Sequence, residues 1–356
     1  MCTMSRLQGQ LRDVHVHVVT ERLRTVPMLC CAARRTASRR AAFERSLAWQ
    51  TCVLWYRGLQ HRAKASPKPR LLLDGLVFGE GPRWHDGRLY LSDMHAGEVL
   101  AVGADGSRET IATMRDGTMC SGLGFLPDGG MLIVSMEDRS VLRLDPKADG
   151  GLTRWADLSG IATWHCNDMV VDARGRAYVG NFGWDIYADQ QKVTPASLAL
   201  IDEVGSAPAR SVADGLHFPN GCAISADGTL LIVAETWGMR LTAFDIAPAD
   251  GSLSNRRTWA KLPCVPDGIC LDAAGCVWVA NPRTPGYAIR VGEGGTILES
   301  VPSDEDWGVY AVALGGAEGN TLYMVEAKGH DPRKTCSGNS RVRAVEVEVG
   351  RGGGRP

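Results

Sequence analysis

Four oxygen-bearing residues recur at one position of a repeat. Asn167 lies eight residues before Gly175, Asn220 eight before Gly228, and Asp267 eight before Gly275. Glu80 lies seven before Gly87, where the turn is one residue shorter. Two carboxylates and two carboxamides that converge would offer oxygen ligands to a hard cation such as calcium, which takes six to eight oxygens, some of them water. No His or Cys belongs to the quartet, so calcium, magnesium or manganese is favoured over zinc. Two carboxylate charges would balance one divalent ion. Taken singly, Asn-Gly and Asp-Gly pairs are ordinary turn formers; four such residues in register across distant repeats argue for a site.

The elements that must position them follow the same repeat. Gly-containing turns end at Gly87, Gly129, Gly175, Gly228, Gly275 and Gly319, at intervals of 42 to 53 residues. Each is followed by a β-rich run: RLYLSD (88–93), MLIVSM (131–136), RAYVGN (176–181), LLIVAE (230–235), CVWVAN (276–281) and TLYMVE (321–326). Alternating β-branched and aromatic residues bounded by such turns are strand signals. A further strand follows in each repeat, as in EVLAVG, SVLRLD and RLTAFD. Helical periodicity is almost absent. Repeats of ~40–50 residues with three or four strands each are propeller blades. The expected fold is all-β, a six-bladed β-propeller with a central-channel metal site. The Val-rich stretch 341–349 and LLLDGLVF (71–78) are placed to share a blade and close the ring. Equivalent positions then converge on the axis from repeats 1, 3, 4 and 5. In repeats 2 and 6 the corresponding positions lie near Ser121 and Ala311, which are unsuited as strong ligands.

Composition narrows the function. The chain has 356 residues and a net charge of −1. Residues 1–70 carry an excess of 11 positive charges and the remainder an excess of 12 negative ones. An acidic body argues against nucleic-acid binding, and no apolar run is long enough to suggest a membrane span. The 11 cysteines are scattered without a C-x-x-C pair, which reads as buried thiols in a reducing, cytoplasmic setting. The organisation expected is a basic extension over 1–69, disordered or partly helical (46–60), then a propeller over 70–349 and a frayed tail over 350–356. The Arg-rich opening leaves organelle targeting open. There is no G-x-S-x-G elbow, H-E-x-x-H or P-loop to carry other chemistry.

The stretches GEGPRW (79–84), CNDMVVDARGRAYVGNFG (166–183), FPNGCAISADGTLLIVAET (218–236) and PDGICLDAAGCVWVAN (266–281) resemble the gluconolactonase/regucalcin (senescence marker protein) family. The resemblance spans roughly 71–349. It implies a divalent-metal-dependent hydrolase that opens a small-molecule lactone. Glu80, Asn220 and Asp267 fall on the family's metal ligands, and Asn167 on the Asn that binds substrate or completes the metal shell. Asp267 would activate water or attack directly. Sugar-lactone members often carry an Arg two residues before the motif Asn; here that residue is His165, a second candidate for substrate binding and proton transfer. Trp164, Trp184, Tyr187 and Trp237 lie in or after the site-facing motifs and would suit a more apolar lactone or ester. The alternatives are a metal-dependent arylesterase or phosphotriesterase on the same site, and a non-catalytic calcium-binding propeller.

Overall fold

All six turn glycines take positive φ, between 72° and 88°, a conformation open to glycine at little cost. In five of the turns the glycine N–H donates to the carbonyl three residues earlier, as Gly175 does to Asp172 (3.1 Å) and Gly275 to Asp272 (3.1 Å). Each turn thereby joins two antiparallel strands. The structure is a computed structural model that describes residues 64–65, 68–145, 151–188, 193–202 and 208–355. The helix expected over 46–60, and the rest of the basic opening, lie outside the described residues.

The strands form six sheets, giving a six-bladed β-propeller. Blades 1 to 4 each run in sequence from the innermost strand outward. Their inner strands are Gly79–His85, Cys120–Phe125, Cys166–Val171 and Pro219–Ile224. Blade 5 begins with the short strand Ile269–Leu271, and residues Lys64–Ala65 add a parallel strand to its outer edge. In blade 6 the inner strand Gly308–Gly315 leads outward to Ser340–Glu346. The early strand Arg70–Leu76 then pairs antiparallel with Ser340–Glu346 as the outermost member. The chain's two ends therefore meet in blade 6 and close the ring, as the Val-rich and Leu-rich stretches imply, leaving only a short outer edge on each blade. Apolar side chains of adjacent blades interlock between the sheets, with Trp278 and Tyr178 fully buried. The described residues contain just two helical turns, Met94–Ala96 and Arg115–Gly117, and no helix long and apolar enough to cross a membrane.

The expected frayed tail is instead a strap. Arg351 N donates to Gly319 O (2.7 Å), Ala273 N to Gly350 O (2.9 Å), and Ile224 and Arg355 exchange two backbone hydrogen bonds (2.7 and 2.9 Å). The Arg355 guanidinium reaches the carbonyls of Phe125 and Val171. Residues 350–355 thus cross the far ends of the inner strands, touching blades 6, 5, 4, 3 and 2. Glycine permits this: a Cβ on Gly350 would lie 2.6 Å from Gly319 O. Glycine-rich composition, which suggests disorder, here serves close backbone approach. Deleting 350–355 removes four backbone hydrogen bonds. At about 0.5 kcal/mol net for each, it is expected to destabilise the propeller by about 2 kcal/mol in urea unfolding. An unchanged midpoint would show that the strap adds nothing.

Candidate functional site

The inner strands carry a shared irregularity. Strand register shifts between Glu80 and Arg83, Cys120 and Leu123, Cys166 and Met169, Pro219 and Cys222, and Val309 and Ala311. Five of six blades therefore bulge at the same height, and bulges re-aim side chains. Glu80, Asn167 and Asn220 sit within or at the edge of these bulges. In blade 5, Asp267 N donates to Ala280 O (3.1 Å) and Gly268 N to Tyr310 O (2.8 Å), so the chain enters at the same height without a regular strand. Asn220-Gly221 is therefore inner-strand backbone and not a turn. A Cβ on Gly221 would lie 2.5 Å from Ile269 N, so glycine lets neighbouring inner strands meet at the axis.

Glu80, Asn167, Asn220 and Asp267 line one cavity of about 350 Å³. None of the four is more than 9% exposed. A chain of hydrogen bonds orients the carboxamides. Ser121 Oγ donates to Asn167 Oδ1 (3.2 Å), and Asn167 Nδ2 to Asn220 Oδ1 (3.1 Å). Asn220 Nδ2 then donates to Thr236 Oγ1 (3.1 Å), which donates to Pro266 O (2.8 Å). Repeat 2, expected to contribute no strong ligand, thus supplies the group that aims Asn167. Each carboxamide oxygen accepts one hydrogen bond and keeps a second lone pair.

The model of the SMP-30/gluconolactonase/LRE-like region matches residues 78–328, which include all four of these side chains. The chain belongs to that family. Its relatives include pentonolactonase XacC of Haloferax volcanii, 26% identical over 259 residues that span 71% of this chain and 82% of that protein. Regucalcin of Xenopus laevis is 26% identical over 261 residues, 70% of this chain and 83% of its own. Among solved structures, a gluconolactonase from Xanthomonas campestris superposes with a TM-score of 0.62 at 21% identity, covering 80% of this chain and 97% of the other. A calcium-binding regucalcin from Agrobacterium tumefaciens gives 0.65 at 19% identity, with 82% and 97% covered. At that identity the structures share the fold.

Electrostatics sets this family member's site apart from its packed surroundings. Burial holds the Glu80 carboxyl well above the ordinary range, and the charges of Asp267 and Asp168 push it further the same way. Asp267 is likewise raised, by burial and then by Asp168, with a hydrogen bond from Asn220 opposing. Asp168 does not line the cavity. It lies 3.8 Å from the buried Arg83 guanidinium, which also donates to Pro82 O and Met169 O. Burial raises the Asp168 carboxyl and Arg83 opposes the rise. Arg83 pairs with Asp168 and its charge also reaches Glu80, but among the described residues neither Glu80 nor Asp267 has a cationic side chain in an ion pair. Arg83 and Asp168 stand inside the stretches GEGPRW (79–84) and CNDMVVDARGRAYVGNFG (166–183), but the repeat register that marks the quartet marks neither.

His165 is not brought to the cavity. It stacks on Trp164 (ring centroids 5.0 Å apart) and lies beside Phe182, with its Nδ1 buried and without a partner among the described residues. Burial lowers its pKa, opposed by Glu137 and Asp185. Of the four aromatics noted in the sequence, Tyr187 and Trp237 line the cavity. Trp184 stands behind them, 5.9 Å from Phe218 and 6.4 Å from Trp237, and Trp164 stays with His165. The remaining walls come from residues that no repeat register marks, among them Phe78, Tyr310, Arg283 and His330.

Proposed function

We propose that this protein is a divalent-cation-dependent lactonase. The observation that carries the reading is a pair of buried cavity carboxylates, Glu80 and Asp267, that line one cavity with two carboxamide oxygens and have no cationic side chain paired to them among the described residues. Among the described residues no three His, Cys, Asp or Glu side chains form a metal cluster; this quartet has two carboxylates and draws its other oxygens from amides. An all-oxygen set of this kind fits a hard cation. Glu80, Asn220 and Asp267 would hold it, with Asn167 completing the set or meeting the substrate. Calcium suits the donors best, and a related protein is named as calcium-binding. Relatives named pentonolactonase and gluconolactonase support lactone chemistry.

A bound cation supplies Lewis-acid stabilisation where the carbonyl oxygen gains charge. The protein's own residues do the rest. Asn167, aimed by Ser121, meets the lactone at the cavity floor. Asp267 takes the proton from the attacking water as its oxygen bonds to the carbonyl carbon. Burial favours the protonated Asp267 that results. The tetrahedral centre then collapses, the ring C–O bond breaks, and Asp267 returns the proton to the departing ring oxygen, leaving a hydroxy acid. The aromatic walls keep bulk water from the reacting carbon. On this reading His165 positions Trp164 and Phe182 and moves no proton.

A pH-indicator assay with a panel of lactones, aryl esters and phosphotriesters tests the assignment. Cation-dependent turnover of lactones well above the other two classes is expected. Turnover confined to aryl esters or phosphotriesters would transfer the same site to that chemistry, and cation binding without any turnover would favour a calcium-binding role.

A further inference from the structure

The cavity that holds the quartet is polar at its floor and apolar on its walls. Phe78, Phe182, Phe218, Tyr310 and Trp237 enclose it. Phe218 meets Phe182 edge-on at 4.7 Å, and Tyr310 meets Phe78 edge-on at 4.8 Å, so these rings form a packed surface. The wall hydroxyl of Thr236 is already engaged with Asn220 and Pro266. Tyr187, Tyr310, His330 and the Trp237 indole are the other polar groups on walls that are otherwise apolar, so a polyhydroxylated ring would find few partners for its hydroxyls, which is costly. One charged side chain lines the same cavity away from the floor: Arg283, in the loop after Val277–Asn281. It is exposed, and among the described residues its guanidinium makes no hydrogen bond and no ion pair. Its backbone is fixed, since Asn281 Nδ2 donates to Arg283 O (3.3 Å) and Arg283 N to Asn281 Oδ1 (3.4 Å). Its charge is felt by the cavity residues Tyr310 and His330.

We propose that the substrate is a lactone whose ring carries an apolar substituent ending in a carboxylate, and that Arg283 selects it. The inference rests on the lactonase reading for the ring end and on the cavity alone for the substituent. The ring lies at the carboxylate and carboxamide floor, the apolar body against the Phe and Trp walls, and the anion against the guanidinium, whose planar fork matches a carboxylate. Arg283 binds the substrate and takes no part in bond making.

The test uses the full chain and three lactones: one with an alkyl chain ending in carboxylate, its methyl ester, and glucono-δ-lactone. The carboxylate form is expected to exceed the ester in kcat/KM by about tenfold, the worth of one charge-assisted contact. Arg283→Gln should erase that preference while leaving the ester within about twofold. In parallel, calorimetry with the ring-ether analogue of the carboxylated lactone, which has no carbonyl to attack, should show binding that weakens about tenfold in Arg283→Gln. A preference for glucono-δ-lactone, or an Arg283→Gln variant that binds the ring ether unchanged, would overturn the inference. Arg283-dependent binding of the ring ether without hydrolysis of any lactone would uphold Arg283 as the carboxylate-binding residue of the cavity and sink the lactonase reading, and with it the lactone ring as substrate.

Discussion

Asp267→Asn is expected to lower lactone turnover on the order of a thousand-fold, and at the same time to make the cation-free protein more resistant to unfolding. The two effects have one cause. Asp267 is buried beside Glu80 and within the field of Asp168, and both burial and that field disfavour its charge. The carboxamide is nearly isosteric and carries no charge, so it relieves repulsion while removing the group that accepts water's proton. Steady-state kinetics and urea unfolding in the presence of a chelator read the two halves separately. A merely structural Asp267 would give the opposite pair of results, lower stability with turnover preserved in whatever remained folded. Near-normal turnover in the variant would end its assignment as the base.

The second large effect is a cation-dependent stability that grows with pH. Glu80 and Asp267 have ordinary pKa values of 4.5 and 3.8, and burial together with their neighbours' charges raises both in the folded protein. A group whose folded pKa is raised binds its proton more tightly in the native state. Its stabilising contribution is therefore fully present below the unfolded value and is lost as pH rises through the folded one. Without cation, the protein should lose stability from about pH 4 upward. A bound divalent ion compensates the ionised pair, so the gain in unfolding temperature on adding calcium should be small at pH 5 and large at pH 8. At a calcium concentration of about 100 times its dissociation constant, mass action gives about 2.7 kcal/mol. A calcium gain that is equal at both pH values, or that survives Glu80→Gln, would mean the ion binds elsewhere.

Much of this was legible because a propeller repeats. The glycine turns set a register, the register put Glu80, Asn167, Asn220 and Asp267 at one height, and the four line one cavity. The pairing of Arg70–Leu76 with Ser340–Glu346 was legible too, since apolar strands at the two ends of a circular repeat have each other as partners. Register fails where residues are not repeated. Arg283 and His330 come from loops of unequal length, and Tyr310 stands in blade 6 one position from the Ala311 that the offset picks out. His165 differs for another reason: it lies just before the inner strand Cys166–Val171 and stacks on Trp164, so closeness in sequence to Asn167 does not make it a cavity-lining residue. Arg83 and Asp168 were visible as letters of the motifs, but a buried ion pair between two blades has no sequence spacing. The strap over 350–355 was hidden because glycine-rich composition has two opposite uses, disorder and close backbone contact, and composition alone does not choose.

The most direct test is lactone hydrolysis by the full chain after chelation and dialysis, with calcium then titrated back into wild type, Glu80→Gln and Asp267→Asn. The account predicts no turnover without cation, saturable recovery in wild type at one equivalent, weakened recovery in Glu80→Gln and none in Asp267→Asn. Full turnover in the chelated protein, or equal recovery in all three, would contradict it.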